Sequence, residues 1–412
     1  MILNHLYFVP KVLDQQWMKT DELKRLQEKK LKAIINHAYR FVPFYRRKWK
    51  DLDLTPDDIK TVEDLKKLPV ISREEIIKNY NSLIAVNYRN LLRLGRVVIG
   101  STSGSTGAPF KILFDAVSWN YLEAIYLRSL LAAKYDPKKP LFYYWYEKFK
   151  KTLYNRLGYM RKIFVSSKTS EEYQLQLMQK TKPDYIYYFS SILYSIAKKI
   201  LKEGTELRPK SVITHAEVLS KKMRKIIENA FDAPVFDQYG TTEFNRIAWV
   251  CSHNIGYHVD ADSVILEAMD KDGEIIENGL GSAVLTGLVN QTLPLIRYEI
   301  GDIINTTDER CTCGRGLPLI KSIEGRFEDA IVINDKMYTP RRFIDLLADS
   351  DGIYKFRIYH KNGRLNCLIV PFDSISLKNV SESLQKITGK VSIKIVGEIS
   401  KSKRGKRKLI GN

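Results

Sequence analysis

From Arg96 to about residue 320, short strand-type runs alternate with segments of helical period, the pattern of a layered α/β domain. Arg96-Val97-Val98-Ile99-Gly100 and Phe110-Lys111-Ile112-Leu113-Phe114 read as strands. Residues 141–146 form a continuous apolar run, as a buried strand does. Residues 211–214 and 234–236 read as strands flanking a helix over 220–231. Residues 1–90 are mostly helical. Leu23, Leu26, Leu31, Ile34, Ile35 and Ala38 recur at helical spacing behind Asp21 and Glu22, and Thr55-Pro56-Asp57-Asp58 and the capping box Ser72-Arg73-Glu74-Glu75 mark further helix starts. Beyond residue 327 the pattern becomes a small α+β module. It has strands over 353–359 and 365–372 joined at Asn362-Gly363, a helix over 377–387 and a strand over 392–399. The fold class is therefore α/β. A large layered α/β N-terminal domain, residues 1–326, precedes a small α+β C-terminal domain, residues 327–412.

The chain's 412 residues and 44% hydrophobic content exclude disordered and collagen-like classes. No run approaches the ~18 apolar residues of a transmembrane helix. The start, MILNHLYFVPK, lacks a secretory pattern, so a cytoplasmic location is expected. The formal charge of +20 admits two readings, a nucleic acid or anionic membrane partner, or a solvated surface with polyanionic small substrates. Residues 134–162 interleave nine Lys or Arg with nine aromatics, which suits base stacking, but a core strand followed by a solvated basic helix explains them better.

Two features carry chemistry. Ser101-Thr102-Ser103-Gly104-Ser105-Thr106-Gly107 is the densest hydroxyl and glycine cluster, and such a backbone wraps tightly around an anion. It lacks the Gly-Lys-Ser/Thr of a Walker loop and joins two strands. The second is a metal-ligand set. Cys251 and His258 precede Cys311 and Cys313, a Cys₃His group suited to a closed, structural Zn²⁺ site, with His253 as the rival fourth ligand. Cys367 lies in an apolar strand and reads as core.

Three further segments follow the loop in order: Asp237-Gln238-Tyr239-Gly240-Thr241-Thr242-Glu243, then Arg297-Tyr298-Glu299-Ile300-Gly301-Asp302, then Gly325-Arg326-Phe327-Glu328-Asp329. The chain closes on Gly405-Lys406-Arg407-Lys408. In this order the motifs resemble the adenylate-forming acyl-activating superfamily, most closely the phenylacetate-CoA ligase branch and the related CapK-like proteins of capsular polysaccharide biosynthesis. His37-Ala38-Tyr39-Arg40-Phe41-Val42-Pro43-Phe44-Tyr45 and Cys311-Thr312-Cys313-Gly314-Arg315 add to the likeness.

The resemblance implies a site residue by residue. Ser103, Gly104, Ser105, Thr106 and Gly107 would hold the β- and γ-phosphates of ATP. Tyr239 would stack on adenine beside Asp237 or the Ala216-Glu217 turn, within the segment that includes Gly240 and Thr241. Thr242 would contact the α-phosphate and Glu243 would bind Mg²⁺, a hard cation that takes carboxylate and phosphate oxygens. Asp302, helped by Arg326, would take the ribose hydroxyls. Without the resemblance, Asp302 and Arg326 read as a salt bridge and Glu243 as a helix cap. Lys406 would stabilise the charge that builds as carboxylate attacks the α-phosphorus; otherwise its tail, with six Lys or Arg, reads as a disordered basic arm. Glu328 stands where the family's hinge carries Asp. In this branch the zinc histidine lies in a Gly-x-His segment, which favours His258. The segment Tyr187-Tyr188-Phe189-Ser190-Ser191-Ile192-Leu193 corresponds to one lining the family's substrate cleft, and equally suits a core strand.

The expected function is ATP- and Mg²⁺-dependent activation of a carboxylic acid to an acyl-adenylate, followed by transfer to a thiol, with CoA as the default acceptor. An acyl or aminoacyl transferase modifying a capsule or O-antigen sugar amine is the alternative within this class. The rival from another class is a zinc-stabilised basic nucleic-acid-binding protein. The remaining basic excess suits a polyanionic second substrate or peripheral membrane association.

Overall fold

The computed structural model describes residues 2–101, 109–148, 151–348, 350, 352–361, 363–372, 377–387 and 390–411. The chain is mixed α/β and forms two compact units, one of residues 1–132 with 239–322 and one of residues 133–238 with 323–412.

In the second unit the strands Lys162–Ser166, Leu141–Trp145, Tyr185–Phe189, Ser211–His215 and the start of Val235–Thr241 lie side by side in that order, all parallel. Parallel neighbours need crossover connections, which the helices Glu171–Thr181, Ser190–Glu203 and Lys221–Phe231 supply. Serines start two of these helices: Ser170 Oγ accepts from Tyr173 N and Ser220 Oγ from Met223 N, both at 3.2 Å. Every residue of Tyr185–Phe189 and Ser211–His215 is buried, so both sheet faces are covered and the strands read as unbroken apolar runs.

Residues 353–411 add a second sheet. Ile353–Lys361 and Arg364–Pro371 pair antiparallel, Val391–Ile395 joins Arg364–Pro371 in parallel, and Ile410–Gly411 joins Ile353–Lys361 in parallel, with Ile358 opposite Ile410. The basic tail thus ends as a strand. Helices Pro340–Leu347 and Leu377–Gln385 accompany this sheet. Phe343, Phe356, Ile358, Cys367 and Leu384 share one apolar core with Ile192, Ile196 and Ile227, so this sheet packs on the helical layer of the parallel one. The strand expected to reach residue 399 ends at Ile395, and the described helix following Leu141–Trp145 spans only Leu153–Arg156.

The first unit opens with helices, including Ile2–Gln15, Thr20–Phe41 and Pro43–Lys50. Leu23, Leu31, Ile34, Ile35 and Ala38 form the buried stripe of Thr20–Phe41, as their spacing requires. Its strands are antiparallel: Val264–Met269 pairs with Gly279–Gly287, that strand with Tyr298–Thr306, and Asn245–Val250 with Tyr257–Val259. A separate two-stranded sheet pairs Val98–Ser101 antiparallel with Lys111–Phe114.

Candidate active site and metal centre

Residues 103–107 of the Ser/Thr/Gly loop lie outside the described residues, but the strand that feeds them is positioned by contact. A Cβ at Gly100 would sit 2.9 Å from Thr242 Cγ2, so glycine lets the strand pass against the Thr242 turn. Thr242 and Glu243 occupy a turn between the strands Val235–Thr241 and Asn245–Val250, which excludes the helix-cap reading of Glu243. A Cβ at Gly240 would lie 2.1 Å from the Asn245 carbonyl oxygen, so only glycine fits beneath this turn. Glu243 is largely buried, with Arg73 Nη1 4.0 Å from Oε1.

The Tyr239 hydroxyl donates to Asp302 Oδ2 at 2.7 Å, joining two of the motifs. Gly301, at φ +77°, lies within the strand Tyr298–Thr306 at the bulge in its pairing with Gly279–Gly287, immediately before Asp302. In the other unit, Asp237 is buried and accepts from Thr214 Oγ1 at 2.6 Å. Ala216 holds a left-handed φ of +67°, turning the chain after Ser211–His215. Glu217 follows with a carboxylate that accepts from the Ser191 N–H at 2.8 Å and the Arg407 N–H at 3.0 Å, and burial raises its pKa. Gly325 takes φ +117° against Pro340, after which Arg326 ends its strand and Glu328 and Asp329 form a 3₁₀ turn.

Lys406 sits on an ordered turn rather than a loose arm. Gly405 N–H donates to Ser402 O and Ser402 N–H to Lys406 O, both at 2.8 Å, and the Tyr144 hydroxyl donates to Gly405 O at 3.1 Å. Gly405 is at φ +80°, and a Cβ there would meet Ser167 Cβ at 2.3 Å, so the turn presses directly on the parallel sheet. Lys408 pairs with Asp329 at 2.7 Å. Tyr144 is fully buried and Trp145 stacks on His215 at 5.5 Å, so the aromatics of this strand pack as core.

The structure brings Cys251, His258, Cys311 and Cys313 together, with their ligand atoms all within 4.8 Å of one another. Cys251 Sγ lies 3.6 Å from Cys311 Sγ, and Cys313 Sγ lies 3.5 Å from His258 Nε2. A tetrahedral zinc with bonds of about 2.3 Å to sulfur and about 2.0 Å to nitrogen requires edges of about 3.8 and about 3.5 Å, so the donor set fits that ion. Burial and the nearby Arg315 lower the His258 pKa to about 4, leaving a neutral imidazole with a lone pair to give. Burial, with the neighbouring thiols, pushes Cys311 up to about 12, whereas against burial the hydrogen bonds and charge of Arg315 lower Cys313. His253 lies outside this set and its Nδ1 meets Thr312 Oγ1 at 2.8 Å. Arg315 Nε donates to Gln16 Oε1 at 2.8 Å, and its guanidinium lies over Trp17 at 4.4 Å, tying the cysteine loop to the N-terminal helices. Cys367 is buried in its strand, as expected of a core residue.

Two charged clusters escaped the sequence reading. In the first unit Arg128 is fully buried and forks onto Asp262 at 2.7 and 2.9 Å, with Asp260 2.5 Å away. In the second, Arg407 is buried against Glu171. Both join residues more than a hundred positions apart, and no local motif marks them.

No family model matches the chain. Among curated proteins it is 29% identical to the phenylacetate-coenzyme A ligase of Thermus thermophilus, over 76% of this chain and 72% of that one. It is 27% identical to the enzyme of the same name from Escherichia coli (88% and 84% covered) and 26% identical to protein CapK of Staphylococcus aureus (79% and 74%). Among solved structures it resembles 2-hydroxyisobutyryl-CoA ligase in complex with an acyl-AMP, with TM-score 0.80 and 18% identity over 97% of this chain and 91% of that one. The anthranilate CoA ligase AuaEII follows with TM-score 0.60 and 15% identity, covering 76% and 65%.

Proposed function

We propose that this chain, a homologue of the phenylacetate-CoA ligases with the adenylate-forming ligase fold, joins a carboxylic acid to CoA through an acyl-adenylate. The observation that carries this reading is the Tyr239–Asp302 hydrogen bond, which links the proposed adenine and ribose residues inside one unit of a ligase-type fold. A carboxylate oxygen attacks the α-phosphorus, the bond to the β-phosphate oxygen breaks and pyrophosphate leaves. The CoA sulfur then attacks the acyl carbon, the bond to AMP breaks and AMP leaves.

Residues 103–107 are assigned to the β- and γ-phosphates. Tyr239 with Gly240 and Thr241, Asp237 and the Ala216-Glu217 turn are assigned to adenine, and Asp302 and Arg326 to ribose. Thr242 orients the α-phosphate and Glu243 holds Mg²⁺, which neutralises phosphate charge when bound. Lys406 meets the charge that develops on the α-phosphate and leaving oxygens, where a fixed ammonium is worth more in the transition state than in the ground state. Residues 327–412 are assigned to rotate about Glu328 between the half-reactions. Zn²⁺ on Cys251, His258, Cys311 and Cys313 is structural, because four protein ligands leave no open position. The described residues contain no helix long and apolar enough to cross a membrane, and a cytoplasmic location is the proposal that accords with a CoA-dependent reaction.

Carboxylate-dependent exchange of pyrophosphate into ATP across a panel of acids, followed by mass detection of the CoA thioester, tests the reading. Exchange with no thioester, but with amide formed on an amino sugar, would transfer the second step to the amine-acceptor alternative. Absence of exchange with every acid would overturn the ligase reading. The rival nucleic-acid reading rested on residues 134–162 and the tail. Leu141–Trp145 of the first form a strand of the parallel sheet, and the second ends in a sheet.

A further inference from the structure

We propose that the ion pair between Arg407 and Glu171 is a latch that positions the Lys406 turn for adenylation and opens before acyl transfer. This rests on the adenylation role assigned to Lys406. Arg407 follows Lys406 directly, yet its side chain runs inward. Its guanidinium binds Glu171 Oε1, donates to Ser195 Oγ at 2.8 Å and to Ser191 O at 3.3 Å, and its backbone N–H donates to Glu217 Oε1 at 3.0 Å. On the other side of Lys406, Gly405 is held by Tyr144 and pressed on Ser167. Both neighbours of the lysine are thereby fixed to residues of the parallel-sheet layer.

Glu171, at the start of the helix Glu171–Thr181, also takes the Tyr354 hydroxyl at 2.6 Å and Lys355 at 3.1 Å on Oε2. Three groups from residues 354–407 thus meet one carboxylate. Burial opposes its charge, but Arg407 and Lys355 outweigh it and lower its pKa. The choice of an ion pair suits a reversible contact. Arg and Glu regain hydration when they separate. The pair's strength depends on the guanidinium fork remaining seated. Because Tyr354 and Lys355 stay on Glu171, removing Arg407 leaves no bare buried carboxylate, and the effect falls on the turn rather than the fold.

The experiment compares half-reactions in the full-length protein. In Arg407→Met, pyrophosphate exchange falls about ten- to a hundredfold, the loss expected for a charge-assisted hydrogen-bond set, and appears in kcat more than in the KM for ATP. Thioester formation from synthetic acyl-adenylate and CoA stays within about twofold, and Arg407→Lys recovers part of the exchange. Equal loss in both half-reactions, or undiminished exchange, overturns the latch. Hydrogen exchange of the amides of residues 402–410 provides a readout free of substrate: Arg407→Met speeds it about tenfold with the thermal midpoint preserved. Unchanged protection overturns the latch whatever the substrate. Lost protection in a protein whose wild type activates no acid overturns the ligase reading, and with it the catalytic part of the proposal. Should Arg407→Met fail to fold, Glu171→Gln, which keeps the hydrogen bond from Tyr354, carries the same comparison.

Discussion

The Tyr239 hydroxyl and the Asp302 carboxylate, 63 positions apart, meet in a 2.7 Å hydrogen bond that holds both side chains. Tyr239→Phe keeps the ring and removes the donor, so it should raise the KM for ATP by about five- to tenfold. Asp302→Ala, which also removes the proposed ribose acceptor, should raise it by more. Initial-rate exchange kinetics measure both, and an unchanged KM in Asp302→Ala would remove the ribose assignment.

Lys406→Ala should slow adenylation by about a hundred- to a thousandfold, the scale for losing one preorganised charge at the reacting oxygens. Glu243→Gln should instead shift the Mg²⁺ concentration needed for half-maximal exchange upward. A Lys406→Ala enzyme with wild-type exchange would show that the tail is not catalytic.

Purified protein should contain about one equivalent of zinc by elemental analysis, and Cys311→Ala or His258→Ala should lose it. Because the cysteine loop is bound through Arg315 to Gln16 and Trp17, metal removal by chelator should lower the thermal midpoint by about one to two degrees, the effect of about 1–2 kcal/mol in a protein of this size. His253→Ala should keep its zinc. Metal below half an equivalent, with a midpoint insensitive to chelator, would count against the site.

Lys30 gives a pH signature. Its ammonium donates to Tyr121 Oη at 2.7 Å and to the Asp262 carbonyl at 2.5 Å, and burial lowers its pKa from 10.5 to about 8. Between these values the unfolded chain holds a proton that the folded one has released, so this group makes stability rise with pH from 8 to 10.5, by up to about 1.4 kcal/mol per unit. Below pH 8 both states are protonated and its contribution is flat. Denaturant unfolding across this window should show a shallower slope in Lys30→Met. Equal slopes would place the titration elsewhere.

Residue type and local order alone carry part of the chemistry. The continuous apolar run of residues 141–146 calls for a buried strand, the Leu23 to Ala38 stripe requires one buried helix side, and three cysteines with a histidine define a metal-ligand set before their distance is known. Gly240 and Gly405 were legible as motif glycines, while the reasons for them, the Asn245 carbonyl 2.1 Å from a Cβ and the Ser167 side chain 2.3 Å from one, exist only in the fold. The fate of charge is set by packing. Lys30, Arg128, Glu171 and Arg407 are residue types that ordinarily line a solvated face. Nothing in their neighbours along the chain says otherwise, because the cost of burying a charge is met by partners that packing brings from more than a hundred residues away.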